Sequence, residues 1–190
     1  ITDTSLIESA ALAQYAAEQG AAAAVTSAPF YFPAGQPELR EYIEQLLPEL
    51  PLPLMLYNMP SMTKVSFGAD TVTWALDQPA IVGLKDSSGH LVYFRKMQYL
   101  AAERRPDWSL LVGPEELLAE VVLLGGHGGI NGGANIHPRL YVDLYNAAKS
   151  GDLARSRELS AQVMAFSSAI YSVGQHSSAI IKGLKCALSV

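Results

Sequence analysis

Two residues in this 190-residue chain have the types and spacing for covalent chemistry on a carbonyl compound. Lys85 ends the run Ile81-Val82-Gly83-Leu84-Lys85-Asp86, and Tyr57 stands 28 residues earlier at the end of Leu52 to Tyr57. The run before Lys85 is apolar and partly β-branched, with Gln78-Pro79 before it and Ser87-Ser88-Gly89 after it, which reads as a short strand buried on both faces. Such a strand offers no solvated face for an ammonium, so the lysine either reaches past the strand end or is desolvated. A free lysine titrates near 10.4, so only about one in a few thousand is neutral amine at pH 7. An apolar pocket raises that fraction, and neutral amine is the species that attacks a ketone to give a Schiff base. Taken alone, the stretch also suits a lysine whose ammonium simply snorkels to water. A tyrosine at the neighbouring strand end shifts the balance, because its phenol could pass protons to and from a carbinolamine and a substrate hydroxyl.

The elements that must hold these residues alternate with little ornament. Residues 3–19 have helical apolar spacing, with a Ser5-x-x-Glu8 capping box and Gly20 as a stop. A strand over 21–25, a loop over 26–35 and a helix over 36–47 follow. Next come a strand over 52–57, closed by Pro60, a short helix over 68–76, the Lys85 strand and a helix over 90–103. A strand over 108–112, a helix over 115–124, a glycine-rich strand over 128–133 and a helix over 138–149 complete five units. Helices over about 152–171 and 177–188 close the chain. Five strands each followed by a helix predict α/β architecture with parallel pairing and right-handed crossovers. No G-x-G-x-x-G stands at a strand-to-helix turn, which disfavours the open dinucleotide-binding sheet. The expectation is the later part of a (β/α)8 TIM barrel, strands 4 to 8, over 1–150, with a C-terminal helical extension over 151–190. Three further strands, on roughly 80 to 100 residues before Ile1, would complete a barrel of ordinary size.

Composition narrows the function classes. A hydrophobic fraction of 49% with 16% charged residues is that of a globular chain and leaves disorder aside. The net charge of -5, with no basic cluster beyond Arg104-Arg105, argues against a nucleic-acid surface. No apolar run reaches the roughly 18 to 20 residues of a membrane span. The single Cys186 gives no internal disulfide and fits a reducing compartment, most simply the cytoplasm. The four histidines are scattered, so metal-dependent aldol chemistry is not expected, and neither is any other cofactor.

In a barrel the strand C-termini carry the chemistry, and Tyr31, Tyr57, Lys85, Glu115 and 131–135 all fall there. Tyr57-Asn58-Met59-Pro60, Gly83-Leu84-Lys85-Asp86, the upstream Ala28-Pro29-Phe30-Tyr31 and the downstream Gly125-Gly126-His127-Gly128-Gly129-Ile130 agree in order and spacing with one family. Over nearly the whole chain the sequence resembles the dihydrodipicolinate synthase and N-acetylneuraminate lyase family. That resemblance implies a (β/α)8 barrel and a class I aldolase acting on pyruvate or another 2-keto acid. Lys85 would be the Schiff-base residue and Tyr57 the proton-transfer residue. Tyr31 would reach into a neighbouring subunit's site, in a homodimer or homotetramer.

Three departures from the family pattern bear on substrate and activity. The family's strand-end motif for the pyruvate carboxylate lies before the point where this chain starts. A barrel that truly began at Ile1 would be a truncated partner without activity. Met62 stands where the synthase branch has an arginine, with Lys64 two residues further on, and Phe30 replaces a tyrosine of lysine-inhibited synthases. Arginine pairs a second carboxylate bidentately, and methionine does not. With Met62, Glu115, Ile130, Asn131 and Gly132 as candidate substrate-binding residues, the expected activity is a 2-keto-3-deoxy sugar acid aldolase or dehydratase. The alternative is the dihydrodipicolinate synthase reaction. The glycines near the last strand suit a phosphate site or tight wall packing, with packing favoured, and His127 falls at the strand start, away from the chemistry.

Overall fold

The computed structural model describes residues 1–189, which form two compact units, Ile1–Leu110 and Leu111–Val190, with Val190 itself outside the description. The first unit carries helix α1 (Leu6–Glu18), strand β1 (Ala24–Ser27), α2 (Gln36–Leu46), β2 (Leu54–Asn58), the single turn α3 (Pro60–Thr63), α4 (Ala69–Leu76), β3 (Ile81–Asp86) and α5 (Leu91–Arg104). Strand β4 (Ser109–Val112) straddles the division. The second unit continues with α6 (Leu118–Leu123), the two-residue β5 (Gly128–Gly129), α7 (Pro138–Ser150), α8 (Leu153–Tyr171) and α9 (Ala179–Leu188).

β1, β2 and β3 pair in parallel and in chain order, as the strand-helix alternation predicts. Strand periodicity divides the residues. Leu54, Leu56, Ile81 and Leu84 are fully buried among Leu39, Ile43, Phe67, Val72, Phe94 and Met97. Met55, Tyr57 and Lys85 are only half-buried. Registered neighbours in a parallel ladder share a face, so Val25, Met55 and Gly83 form one row and Ser27, Tyr57 and Lys85 the next. At Gly83 a glycine is required by close approach: an added Cβ would fall 2.5 Å from the Ser109 carbonyl oxygen and 2.7 Å from Met55 Cε. Behind the sheet, Trp108 Nε1 and the Arg105 guanidinium both donate to Ile81 O, at 2.9 and 2.8 Å, and hold the start of β3.

Several boundaries differ from the sequence expectation for identifiable reasons. The first strand begins at Ala24 rather than Ala21, because Ala21 N still bonds back to Ala16 O at 3.0 Å around a left-handed Gly20. It then runs through Thr26 and Ser27, which were expected in a loop. In α1 only half of the capping box forms, Glu8 N donating to Ser5 Oγ. Ile7 and Leu12 are exposed, since about 100° per residue puts both off the Ser9–Ala13 line that is buried. The expected helix at 115 opens as a tight 3-10 turn, Glu115–Leu117. The expected strand over 128–133 stops at Gly129, apart from one further rung from Ile130 N to Val112 O. Gly132–Asn135 turns instead as a 3-10 helix, with both Ile136 N and His137 N bonded to Gly133 O. In the second unit, α8 packs on α7 and α9 on α8, so residues 151–189 belong to the same compact body as β5. Among the described residues no helix is long and apolar enough to cross a membrane.

Candidate active site

The ends of β1, β2 and β3 bring three side chains abreast. Ser27 is registered with Tyr57, and Tyr57 with Lys85. Lys85 Nζ lies over the Tyr57 ring, 4.1 Å from its centroid. An ammonium over an aromatic face gains about 0.5–2 kcal/mol, enough to hold a flexible four-carbon stem in one direction. Lys85 and Tyr57 are therefore neighbours by strand register, which the 28-residue spacing by itself did not guarantee.

Beside Tyr57 lies a cavity of about 390 Å³ lined by Thr2, Ser27, Phe30, Tyr57, Met59, Met62 and Thr63. Its wall is apolar with four hydroxyls, of Thr2, Ser27, Tyr57 and Thr63, and no charged side chain. Met62 lines this cavity and is largely exposed. Lys64 does not supply the missing cation: it takes a left-handed backbone (φ 65°) at the end of α3, and its Nζ donates to Ser61 O at 3.0 Å. Tyr31 is 79% exposed and packs edge-on against Phe32, with 5.2 Å between ring centroids. Phe30, rather than Tyr31, reaches the cavity wall.

Sequence reasoning missed Thr2, Ser27, Met59 and Thr63 as neighbours of Tyr57. Ser27 carried a usable signal, since it ends the strand before Tyr57's. Thr2 carried none, because it reaches Ser27 through a tertiary hydrogen bond, Ser27 N to Thr2 Oγ1 at 3.2 Å. Also missed were Asn58 and Asp86, registered with each other one residue beyond Tyr57 and Lys85 and joined by a buried bond, Asn58 Nδ2 to Asp86 Oδ1 at 2.8 Å.

The second unit carries Glu115, Ile130, Asn131 and Gly132. Glu115 was expected to meet substrate hydroxyls, but its carboxylate is 3% exposed and makes its hydrogen bonds inside the protein. Tyr141 OH donates to Oε1 at 2.7 Å, while Gly133 N and Tyr171 OH donate to Oε2 at 2.8 and 3.0 Å. Burial first, and then the Glu115 carboxylate, push both tyrosines well above the usual phenol range. Asn131 is buried and donates from Nδ2 to Gly113 O at 2.9 Å, whereas Ile130 is half-exposed. Gly132 lies close under Tyr171, whose hydroxyl would be 2.6 Å from an added Cβ. His127 and Asn131 border a separate cavity of about 340 Å³ with Tyr141 and Tyr145. Among the described residues no three His, Cys, Asp or Glu side chains stand close enough to share a metal ion.

A family model described as the dihydrodipicolinate synthetase family matches residues 3–188. The chain belongs to that family. A probable 2-dehydro-3-deoxy-D-pentonate aldolase of Escherichia coli K12, YjhH, is 35% identical over 158 residues, covering 83% of this chain and 52% of the relative. The solved dihydrodipicolinate synthase of Bacteroides thetaiotaomicron superposes with a TM-score of 0.94 at 56% identity, over 99% of this chain and 63% of that one. YagE from Escherichia coli K12, a member of the same family solved in complex with pyruvate, superposes with a TM-score of 0.90 at 27% identity, over 99% of this chain and 62% of its own. The chain thus spans about half the length of the curated relative it matches and somewhat under two thirds of the solved ones. The fold is the later portion of the family's (β/α)8 barrel.

Proposed function

We propose that the protein carrying this chain is a class I aldolase that forms a Schiff base between Lys85 and pyruvate or a 2-keto acid. The observation that carries the reading is the placement of Lys85 Nζ over the Tyr57 ring at adjoining strand ends. In this reaction the amine adds to the C2 carbonyl, and the carbinolamine loses water to give an iminium. Tyr57, having given its proton to the departing carbinolamine hydroxyl, takes the proton of the C4 hydroxyl as the C3–C4 bond breaks, releasing an aldehyde and leaving an enamine. Protonation at C3 and hydrolysis then return pyruvate and free lysine. Each step needs one proton moved over a short distance, the task suited to a phenol beside the amine.

The substrate we favour is a 2-keto-3-deoxy sugar acid. An apolar wall with hydroxyls from Thr2, Ser27 and Thr63 suits a neutral hydroxylated chain. Met62 gives a second carboxylate nothing to pair with, which forgoes about 1.5–3 kcal/mol of charged hydrogen bonding. Dehydration on the same lysine is a variant of this reading. The 56% identity to the Bacteroides synthase favours a second reading, condensation of pyruvate with aspartate semialdehyde. The family relationship and Tyr31's exposed aromatic edge support a homodimer or homotetramer, and the exposed thiol of Cys186 suits the cytoplasm.

Borohydride added with pyruvate to the full-length protein should fix an adduct on Lys85, located by peptide mass spectrometry, and Lys85→Ala should abolish it. Adduct on Lys64 or Lys96 would refute the assignment. For the substrate, kcat/KM is compared for condensation of pyruvate with glyceraldehyde and with aspartate semialdehyde. A preference for the semialdehyde above about tenfold, or 1.4 kcal/mol, would restore the synthase.

A further inference from the structure

The parallel ladder between β2 and β3 ends one residue beyond the reactive pair, and there the two strands part toward α3 and α5. The last backbone rung, Ser87 N to Asn58 O at 2.8 Å, lies at this fork, and a sheet frays first beyond its last rung. Here the fork is closed by a ring of hydrogen bonds. Asn58 Nδ2 donates to Asp86 Oδ1 at 2.8 Å, and Phe67 N donates to Asn58 Oδ1 at 3.1 Å. The other side of the Asp86 carboxylate accepts Ser88 Oγ at 3.0 Å, with Ser88 N on Oδ1 at 3.1 Å. His90 N donates to Ser88 Oγ at 3.1 Å, and His90 Nδ1 accepts from Tyr93 N at 3.0 Å. Tyr93 OH returns to Phe67 O at 2.8 Å and closes the ring. Asn58 and Asp86 are 1% and 2% exposed, and no apolar packing requirement explains an amide and a carboxylate at those two positions.

We propose that Asn58 and Asp86 are positioning residues for the Schiff-base pair, setting the separation of the β2 and β3 ends so that the Tyr57 phenol stays within proton-transfer reach of the lysine-bound intermediate. The inference rests on the function proposed above and goes beyond it, since neither side chain touches substrate. Alternation puts them on the opposite face from Tyr57 and Lys85, so they act through the backbone. A carboxylate accepting several hydrogen bonds in a water-excluded place is a stiff joint, because charged hydrogen bonds strengthen as the local dielectric falls. The mobile parts of the site are a four-carbon lysine stem and a tyrosine ring, whose origins are two opposed Cα positions that this joint fixes. Misplacement of a catalytic group by about 1 Å costs on the order of 10²-fold in rate.

The test is a double-mutant cycle in the full-length protein, reading kcat, KM and the borohydride-trapped yield of Lys85 adduct. Asp86→Ala should lower kcat by about 10- to 100-fold with KM changed less than about threefold. In a Tyr57→Phe background the same substitution should cost less than about threefold, because the phenol it places no longer transfers a proton. Asp86→Asn, which keeps an acceptor for Asn58, should recover most of the loss. Should Asp86→Ala fail to fold, Ser88→Ala removes one of the carboxylate's bonds and should reproduce the pattern at smaller size. Equal losses in both backgrounds, or an unchanged kcat, would overturn the positioning role. If the native protein traps pyruvate on Lys85 while the variants turn over normally, only this inference falls. If the native protein traps nothing, the aldolase reading falls and takes this inference with it.

Discussion

Tyr57 and Lys85 face each other directly across the β2–β3 ladder, and the lysine amine rests on the tyrosine ring at 4.1 Å. Because the phenol is assigned proton transfer and not retention of the ketone, Tyr57→Phe should lower kcat by about 10² to 10⁴ while leaving the trapped adduct on Lys85 intact. Turnover at the native level would leave Tyr57 a packing residue.

In the proposed function, substrate choice turns on Met62. Replacing it with arginine adds a cation to a wall that has none, so Met62→Arg should raise kcat/KM for aspartate semialdehyde relative to glyceraldehyde by about tenfold or more, the worth of one charged hydrogen bond. No change in that ratio would show that the second carboxylate, if bound, is read elsewhere.

Glu115 should matter to stability first. Glu115→Ala strips the acceptor from Tyr141, Tyr171 and Gly133 N together and should cost about 2 kcal/mol or more, visible as a lowered urea midpoint. Glu115→Gln keeps one acceptor oxygen and should cost less. A Glu115→Ala protein of native stability but weakened substrate binding would return the carboxylate to the substrate.

The same cluster gives a pH dependence. Burial and then Glu115 raise Tyr141 and Tyr171 above the ordinary value of 10.0, so the folded protein keeps phenolic protons that the unfolded chain gives up. Their contribution is full below about pH 10 and declines as pH rises from there toward the folded values. Urea midpoints should fall above about pH 10, and Tyr141→Phe should flatten the fall. An identical alkaline slope in that variant would refute the linkage.

Gly83 has no room for a methyl. Gly83→Ala should destabilise by about 1–3 kcal/mol, since the Ser109 carbonyl it meets is backbone and moves only with β4. A thermal scan showing no loss would mean that β3 and β4 part more easily than their close approach implies.

The sequence by itself determined the alternation of strands and helices, the parallel class, and the lysine and tyrosine at neighbouring strand ends, because each is written in local apolar periodicity and in short motifs. It reached the family in the same way. Tertiary structure alone decided where the polar side chains point. Glu115 looked like a helix-start carboxylate, yet its partners lie 18, 26 and 56 residues away, at separations that no periodic pattern encodes. The Asn58–Asp86 bond was equally hidden, because strand register and not spacing makes 58 and 86 neighbours. The shortened β5 belongs with these: glycines state that a backbone is free to turn, while the hydrogen bonds that Ile136 and His137 return to Gly133 decide that it does.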